Sequence, residues 1–352
     1  MIITFVVPAY NVADTIERTI DSILNQTDDR YKVIIVNDGS QDQTEAICKV
    51  YEENYPDKIR YVYQENRGLG GARNRGLSMV ETEYVTFLDS DDWLMPEFVE
   101  NVLTCLNKET AEIVMTLPVI FHEGSKALGE WYDKRIFEQI FKEDGMIINP
   151  QKNTEIYRFE VSQCRKIVSV DYIKRINFRF REQIKWEDVF PHFYLLSQCT
   201  KCMGIGSVGF YYRIGSGHQI TNMRGRERLD ILVVFDDLLK YVGQTERKDL
   251  EFPVMRVMVR FAVWCIRMAD IENRKLIVDK LHQFFKCIPK SFYRSLKKGS
   301  RTEFSVKDAL QYRLFLTAIR YRIFNVFFFD YLYQDIAEKV IKKVLRAGQR
   351  VA

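Results

Sequence analysis

The sequence predicts an α/β protein: an open, mostly parallel β-sheet flanked by helices, with a mainly helical segment after it. Apolar runs of strand length alternate with helical apolar spacing four times within residues 2–107, which is typical of a parallel sheet. A polar cluster follows each of these runs. The composition, 47% hydrophobic and 28% charged, is that of a globular protein.

The alternation defines the elements of the sheet. The run from Ile2 to Pro8 is continuously apolar, as expected of a strand covered on both faces. Ile16, Ile20 and Ile23 follow at helical spacing, and Asp42 is a candidate N-cap for a second helix. We expect strands at residues 2–8, 32–36, 59–63 and 84–88, and helices at 13–25, 43–54, 71–80 and 96–107.

The pattern is less regular beyond residue 107. We expect a strand at 112–121, an insertion at 122–155, a short helix at 167–176, a helix ending near 198 and a strand ending at Arg213. From about residue 225 the chain is mostly helical without clear strands, so we predict a domain boundary near residue 220.

The cellular location is predicted from features that the sequence lacks. Residues 1–8 have no basic leader region and are interpreted as a strand, not a signal peptide. No uncharged apolar run reaches about 18 residues, so we expect no membrane span. Seven cysteines without a regular framework fit reduced thiols. Together these features predict a cytoplasmic protein.

The most acidic stretch follows the fourth predicted strand. It holds three carboxylates within four residues, Asp89, Asp91 and Asp92, which repel one another unless a cation or a ligand neutralises them. Asp89 and Asp91 are two apart, so they share a face of an extended segment. Such an Asp-x-Asp pair suits a divalent metal with hard oxygen ligands. The alternative is a solvated turn that caps the helix beginning near Pro96.

The four polar clusters are expected to meet. In an open α/β sheet, ligands bind beyond the carboxyl ends of the strands, and the clusters lie there: residues 8–11, 37–40, 64–67 and 89–92. The dinucleotide fingerprint is absent, because Gly68-x-Gly70-Gly71 follows the third strand and has the wrong spacing.

Charge divides the chain unevenly. Residues 1–218 carry 25 basic and 33 acidic side chains, a net −8, whereas residues 219–352 carry 27 and 15, a net +12. An acidic N-terminal part and a basic C-terminal part suggest two separate functions.

Six short motifs occur in order along the chain: Val7-Pro8-Ala9-Tyr10-Asn11, Val36-Asn37-Asp38-Gly39-Ser40, Glu65-Asn66-x-Gly68, Ala72-Arg73-Asn74-x-Gly76, Phe87-Leu88-Asp89-Ser90-Asp91-Asp92 and Trp186-Glu187-Asp188. Together they resemble the motifs of family 2 glycosyltransferases of the GT-A fold. The order and spacing agree over about residues 3–100 and more loosely to about residue 218. The C-terminal third matches no family that we can name.

The resemblance implies an inverting, metal-dependent transfer of a sugar from a UDP-sugar to a hydroxyl group, with Mn²⁺ or Mg²⁺ at the leaving diphosphate. By analogy Asp91 is a metal ligand, and Asp89 binds the ribose or the metal through water. Two roles stay open for Asp92: it belongs to this site, or it is the N-cap of the following helix. Asp38 would accept the uracil imide N–H that cytosine lacks, or form a turn before Gly39. Further residues implied at the nucleotide sugar are Pro8, Ala9, Tyr10, Asn11, Asn66, Gly68, Arg73, Ser90 and Arg213.

Two of these implied roles leave alternatives open. Arg73 either contacts donor phosphate or holds Asp89 in place. His218 either ligates the metal or touches the diphosphate, with a structural role as the alternative, and Arg213 is expected on phosphate.

The resemblance also implies a catalytic base. Inversion needs a carboxylate on the side opposite the diphosphate, and we assign Asp188 as the base with Glu187 as its helper. Alternatively, both acids only favour a helix N-terminus.

The predicted domains follow from these roles. Residues 1–220 form a GT-A catalytic domain, with nucleotide-sugar binding in 1–107 and the acceptor part in 108–220, and residues 221–352 form a helical basic domain. That last segment includes helices at 254–268, 310–333 and 331–346, the last bearing Lys339, Lys342, Lys343 and Arg346. It either packs on the catalytic domain or meets an anionic membrane, where the protein would be peripheral on the inner face of the cell membrane.

The expected partners are a UDP-sugar and a glycan or lipid-linked acceptor. Nucleic acid is not expected, since no nucleic-acid motif accompanies the basic residues; a homo-oligomer is left open. The alternative functions are a nucleotidyltransferase and a catalytically silent sugar- or lipid-binding module. The sequence after Pro8 lacks the Gly-rich basic loop of the first, and the intact carboxylates argue against the second.

Overall fold

The fold is taken from a computed structural model that describes residues 2–207, 209–215 and 223–299. The chain forms two compact units, residues 1–219 and 220–352, and the functional roles expected for the two parts stay predictions. His218, the helices predicted at 310–333 and 331–346, and the basic cluster at 339–346 lie outside the described residues.

The first half of the first unit is a parallel sheet with helical connections. Strand β1 is buried at all seven positions and pairs in parallel with β2 and β4, while β2 pairs in parallel with β3. The elements are β1 (Ile3–Ala9), α1 (Ile16–Leu24), β2 (Tyr31–Asn37), α2 (Thr44–Asn54), β3 (Ile59–Tyr63), α3 (Gly68–Leu77), β4 (Tyr84–Phe87), β5 (Trp93–Leu94) and α4 (Phe98–Lys108). The alternation predicted from the sequence is confirmed here, and the carboxyl ends of β1 to β4 lie along one edge.

The second half mixes strand directions. Its elements are β6 (Ile113–Thr116), β7 (Val119–His122), β8 (Leu128–Glu130), α5 (Lys134–Ile140), β9 (Met146–Ile148), β10 (Lys166–Ser169), α6 (Val170–Arg175), α7 (Val189–Gln198), β11 (Cys202–Ile205) and β12 (Phe210–Ile214). The large sheet has the order β3-β2-β1-β4-β10-β6-β11-β9, with β10 antiparallel to both its neighbours, and β5-β12-β7-β8 form a second, small sheet.

Two predicted elements of this half were wrong. The strand expected at 112–121 is two strands in different sheets, β6 and β7, separated at Leu117-Pro118, where proline has no N–H to donate to a ladder. The helix expected at 167–176 begins as strand β10, because its backbone fills the place between β4 and β6. The helical part starts only at Val170, after Ser169 caps it by accepting a hydrogen bond from the Tyr172 amide.

The second unit is helical in its described part, with α8 (Ile231–Thr245), α9 (Glu251–Met268), α10 (Ile271–Cys287) and α11 (Lys290–Gly299). The helix predicted at 254–268 corresponds to α9, whose apolar face is buried: Met255, Met258, Val259, Ala262, Cys265 and Ile266. Among the described residues, none of the helices combines the length and the apolar character that crossing a membrane requires.

Candidate active site at the carboxyl edge of the sheet

The first two loops at this edge are hydrogen-bonded to each other. The Asn11 amide donates to Ser40 Oγ at 3.0 Å, and the Gln41 amide donates to Asn11 Oδ1 at 2.8 Å. Asn11 adopts a left-handed conformation, φ 51°, which asparagine tolerates better than most residues. Pro8 and Ala9 are buried in β1, whereas Tyr10 remains 50% exposed. The Tyr10 ring is therefore exposed directly after the buried strand β1.

Asp38 is buried directly after β2, and one of its carboxylate oxygens is fixed. Asp38 Oδ1 accepts hydrogen bonds from Gln64 Nε2 at 2.6 Å and from the Arg67 amide at 2.8 Å. Its carbonyl oxygen accepts from Asn66 Nδ2 at 2.9 Å. The next residue, Gly39, has φ +80°, and a Cβ there would lie 3.1 Å from the Asn66 amide nitrogen. Asp38 therefore has a fixed orientation set by the residues that follow β3.

Arg73, on α3, is the centre of the site. Its side chain is fully buried and contacts three carboxylates: Asp89 Oδ1 at 2.9 Å, Glu187 Oε1 at 3.0 Å, and Asp188 Oδ1. Asp89 follows β4, and the other two acids directly precede α7, more than a hundred residues after Arg73. Of the two roles predicted for Arg73, the structure shows the contact with Asp89.

Helix α3 also holds the loop that delivers Glu187 and Asp188. Asn74 Nδ2 donates to the Phe180 carbonyl at 2.9 Å, and the Phe180 amide donates to Asn74 Oδ1 at 2.8 Å. A Cβ at Gly70 would lie 2.1 Å from the Arg181 carbonyl oxygen, so only glycine permits this approach. Glu182 pairs with Arg67 at 2.6 Å. The motif around Arg73 therefore fixes the loop through its backbone as well as through charge.

The two carboxylates before α7 differ in exposure. Glu187 is 5% exposed, whereas the Asp188 side chain retains 23%. Burial raises the pKa of Glu187, and the Asp188 charge raises it further. Burial also raises the pKa of Asp188, although Arg73 opposes the shift. Burial opposes the charge on Arg73, but the three acids together hold its pKa well above the usual range. Asp188 is thus the more accessible proton acceptor of the pair.

The remaining acids after β4 lie in a negative environment. Burial and the Asp89 charge raise the pKa of Asp91 to about 6. Asp92 is 1% exposed, and burial together with Asp91 and Asp89 raises its pKa well above the usual range. Asp92 Oδ1 accepts from the Arg213 amide at 2.9 Å, so this side chain ties β12 to the acidic turn. It does not cap the following helix, whose N-cap is Glu97.

Arg213 and the aromatic residues of the small sheet border this turn. Arg213 Nε donates to Glu123 Oε2 at 2.6 Å, and its charge lowers the pKa of Asp91 against the larger effect of burial. The Arg18 guanidinium carbon lies 3.2 Å from the ring centroid of Trp93. Arg213 is therefore placed at the acidic turn, paired with a carboxylate; its predicted contact with phosphate stays a prediction.

Sequence reasoning missed the segment just before β10. Gln163 is 1% exposed, and its Nε2 donates to the Asp188 carbonyl at 3.0 Å. Cys164 Sγ and one carboxylate oxygen each of Asp89 and Asp92 lie within 4.8 Å of one another. No motif marked these residues, because they reach the site only through the insertion of β10 beside β4.

The residues fit a divalent cation by their chemistry. Asp89 Oδ1 is taken by Arg73 and Asp92 Oδ1 by the Arg213 amide, which leaves the second oxygen of each carboxylate. Asp92 Oδ2 is buried and has no hydrogen-bond partner within the part of the chain that the structure describes. Carboxylate oxygens are the ligands that Mg²⁺ and Mn²⁺ prefer. A cation at this turn would reduce the repulsion that raises the pKa values of Asp91 and Asp92.

Comparison with known proteins identifies the family. Residues 4–176 match the family model described as glycosyl transferase family 2. These residues form a family 2 glycosyltransferase domain. The family predicted from the six motifs is confirmed.

Curated relatives support the assignment. The chain is 36% identical over 143 residues to glycosyltransferase GlyA of Streptococcus pneumoniae, covering 39% of this chain and 20% of that protein. It is 28% identical over 291 residues to the minor teichoic acid biosynthesis protein GgaB of Bacillus subtilis, covering 80% and 31% respectively. The chain therefore spans about a fifth to a third of the length of these relatives.

A solved structure confirms the fold. S. aureus TarS 1-349, in complex with UDP-GlcNAc, superposes with a TM-score of 0.65 over 91% of this chain and 92% of that chain, at 17% identity. The glycosyltransferase domain and the helices after it therefore share their architecture with a GT-A protein, as the sequence predicted.

Proposed function

We propose that this protein transfers a sugar from a UDP-sugar to a hydroxyl of a glycan or lipid-linked acceptor in cell-surface polysaccharide synthesis, with inversion at the sugar carbon. The observation that carries the proposal is the contact of one buried arginine, Arg73, with three carboxylates from two distant segments. That contact joins the acidic turn after β4 to the carboxylates before α7. A donor-binding group and a proton acceptor thereby face one site.

The donor side of the proposal rests on the first strand ends. Gln64 Nε2 and the Arg67 amide both donate to Asp38 Oδ1, and these two hydrogen bonds fix the orientation of the carboxylate. A carboxylate there accepts the imide N–H of uracil. TarS, which shares the fold, was solved with UDP-GlcNAc, and this supports UDP as the nucleotide. Pro8, Ala9 and Tyr10 would line the base and ribose, with Asn66 and Gly68 beside them.

The acidic turn is proposed to hold Mn²⁺ or Mg²⁺ through Asp91 and Asp89, and His218 completes the proposed ligand set. The cation, when bound, offsets the negative charge of the leaving diphosphate. Ser90 and Arg213 are proposed to contact the donor. Burial and, after it, the Asp89 charge raise the pKa of Asp91, and a cation would offset the part that is due to Asp89.

Asp188 is proposed to accept the proton of the acceptor hydroxyl. Its side chain is partly exposed, and Arg73 fixes one of its oxygens. Gln163 donates to the Asp188 backbone carbonyl, which fixes the backbone at this residue. Glu187 is almost fully buried and therefore acts as a positioning residue. The nucleophilic oxygen attacks the sugar carbon as the bond to diphosphate breaks, and the proton goes to Asp188.

The test of the proposed function is release of UDP from purified full-length protein supplied with UDP-glucose, UDP-galactose and their N-acetyl forms, with and without Mn²⁺. We expect one donor to be turned over only with the cation present. Asp91→Ala should abolish cation-dependent UDP binding, and Asp57→Ala, an exposed acid outside the six motifs, is the matched control. Turnover in Asp91→Ala equal to the parent would exclude the assigned metal ligand.

The second unit is proposed to handle the acceptor or an anionic membrane surface. The support is the net charge of +12 in residues 219–352, since each basic residue close to an anionic membrane contributes about 1 kcal/mol. The full-length protein should sediment with anionic vesicles at low salt and dissociate as the salt concentration rises. Absence of sedimentation at every salt concentration would favour a unit that only supports the catalytic domain.

A further inference from the structure

A buried thiol lies against the acidic turn and has no role in the proposed transfer. Cys164 is 3% exposed and sits two residues before β10. Its Sγ and one oxygen each of Asp89 and Asp92 lie within 4.8 Å of one another. Among the residues that the structure describes, these three are the one group of metal-ligating side chains with such spacing.

The candidate ligand atoms of this group are the second oxygens of its two carboxylates. Asp89 and Asp92 each use Oδ1 for a protein contact, with Arg73 and with the Arg213 amide respectively. Asp92 Oδ2 is buried without a hydrogen-bond partner in the described parts of the chain. A buried polar atom with no partner is rare, and it needs an explanation such as a bound ion. The unpaired oxygen is thus an observation independent of the cysteine.

The donor set selects the type of cation. Mg²⁺ requires near-octahedral oxygen ligands and seldom binds thiolate, whereas Zn²⁺ binds thiolate and carboxylate together with tetrahedral geometry. With metal–ligand distances of about 2.0–2.3 Å, tetrahedral ligands lie roughly 3.3–3.8 Å apart. The group, whose atoms lie within 4.8 Å of one another, would therefore have to contract by at most about 1–1.5 Å, a movement within reach of rotations of these side chains. The Cys164 thiol loses its proton to solvent as the metal–sulfur bond forms.

We propose that Asp89, Asp92 and Cys164 bind a thiophilic divalent cation, of which Zn²⁺ is the physiological example, at a site that overlaps the proposed donor-cation site. Because Asp89 belongs to both sites, occupancy of the thiol site blocks donor binding. The inhibitory part rests on the proposed function, whereas the binding part does not.

Binding is tested first, without any turnover. Full-length protein carrying Cys287→Ser, which removes the exposed thiol, is titrated with Cd²⁺ while the ultraviolet charge-transfer absorption of a cadmium thiolate is followed. We expect one equivalent to bind, and Cys164→Ser to lose the absorption and weaken binding on the order of tenfold or more. Cys164→Ala is the second variant, and thermal unfolding of each variant checks that the protein is folded.

Two matched controls separate this thiol from the others. Cys105→Ser changes a buried cysteine outside the group and should leave the titration unchanged. Cys199→Ser with Cys202→Ser removes the buried Cys-x-x-Cys pair, and it too should leave the titration unchanged. Absorption that persists in folded Cys164→Ser, or that disappears in the Cys199/Cys202 variant, would overturn the proposal.

Inhibition is tested second. Zn²⁺ should inhibit Mn²⁺-dependent UDP release, with added Mn²⁺ relieving it, and Cys164→Ser should require about tenfold more Zn²⁺ or more for the same inhibition. Equal inhibition of the parent and Cys164→Ser would refute the inhibitory site. If the protein releases no UDP from any donor, the proposed function fails while the Cd²⁺ titration still decides the binding site.

Discussion

Two fully buried arginines of the first unit, Arg73 and Arg165, differ in how many carboxylates surround them. Arg73 contacts the carboxylates of Asp89, Glu187 and Asp188. Arg165 contacts one carboxylate, Asp133 Oδ2 at 2.6 Å, and donates from Nε to the Thr116 carbonyl at 3.2 Å. The Arg165 guanidinium also lies 5.0 Å from the ring centroid of Phe159 and 5.5 Å from that of Phe137. Aromatic rings do not distinguish the two, since the Arg73 guanidinium lies 5.5 Å from the ring centroid of Phe180. Arg73 faces excess negative charge, whereas Arg165 forms a neutral pair.

The difference distinguishes the candidate active site around Arg73 from a buried ion pair that supports the fold. Burial raises the pKa values of Glu187 and Asp188, and nearby carboxylates add to it: Asp188 and Asp89 for Glu187, and Asp89 for Asp188. Carboxylates with raised pKa values are typical of functional sites. The buried Arg165–Asp133 pair contains one positive and one negative charge. Removing one partner leaves the other charge buried and unpaired, so we expect the main effect on the free energy of unfolding. The predictions below test this contrast.

The largest effect is expected from Asp188→Asn. This change keeps the size of the side chain and its contact with Arg73 but removes the proton acceptor, so transfer should fall roughly 10²–10⁴-fold. UDP affinity should remain within about twofold, since the amide adds no new charge near the donor. Steady-state kinetics and UDP titration measure the two quantities, with the exposed Asp171→Asn as control. A large loss of UDP affinity would move Asp188 to donor binding.

Arg165→Met should act on stability. Removing the arginine leaves the Asp133 carboxylate buried and unpaired, at a cost of about 3–5 kcal/mol in the free energy of unfolding. Urea unfolding measures the loss, and the double variant Arg165→Met with Asp133→Leu should recover much of it. UDP affinity of the folded Arg165→Met protein should match the parent. A selective loss of UDP binding at full stability would contradict the supporting role of this pair.

Arg73→Lys should have a smaller effect on transfer. The charge is kept, but one ammonium group lacks the planar fork that reaches three carboxylates at once. We expect transfer to fall by roughly 10- to 100-fold, equivalent to about 1.4–2.7 kcal/mol. Arg75→Lys, an exposed arginine on the same helix, is the matched control. Parent-like kinetics in Arg73→Lys would show that charge alone, without geometry, holds the carboxylates.

The smallest effect is expected in the pH profile. The proposed base must be ionised, and burial raises the pKa of Asp188 above its ordinary value of 3.8. Activity should therefore be lost as the pH falls through this raised pKa, at a higher pH than an exposed aspartate would give. The measurement is kcat/KM against pH for the parent and Asp188→Asn. An acid limb that persists unchanged in Asp188→Asn would assign it to another group.

The sequence alone determined the sheet of the first hundred residues and the family. Each strand from β1 to β4 is a short apolar run followed by a polar cluster, so periodicity and turn chemistry agree locally. Because parallel strands bring their carboxyl ends to one edge, it also followed that Asp38 and Asp89 would lie at a common edge. The Glu187–Asp188 pair was found by resemblance to family motifs, since nothing local distinguishes it from acids at a helix start.

Tertiary structure alone decided what these residues contact. The β10 strand was predicted as helix, because its short apolar run fits either period until β4 and β6 supply partners on both sides. That strand brings Gln163 and Cys164 beside the acidic turn, and α3 brings Arg73 onto acids from two distant segments of the domain. Contacts between residues about seventy-five to one hundred and fifteen apart depend on strand order, which periodicity in a single sequence does not specify. Residue types were therefore readable from the chain, whereas their partners were set by which strands became neighbours.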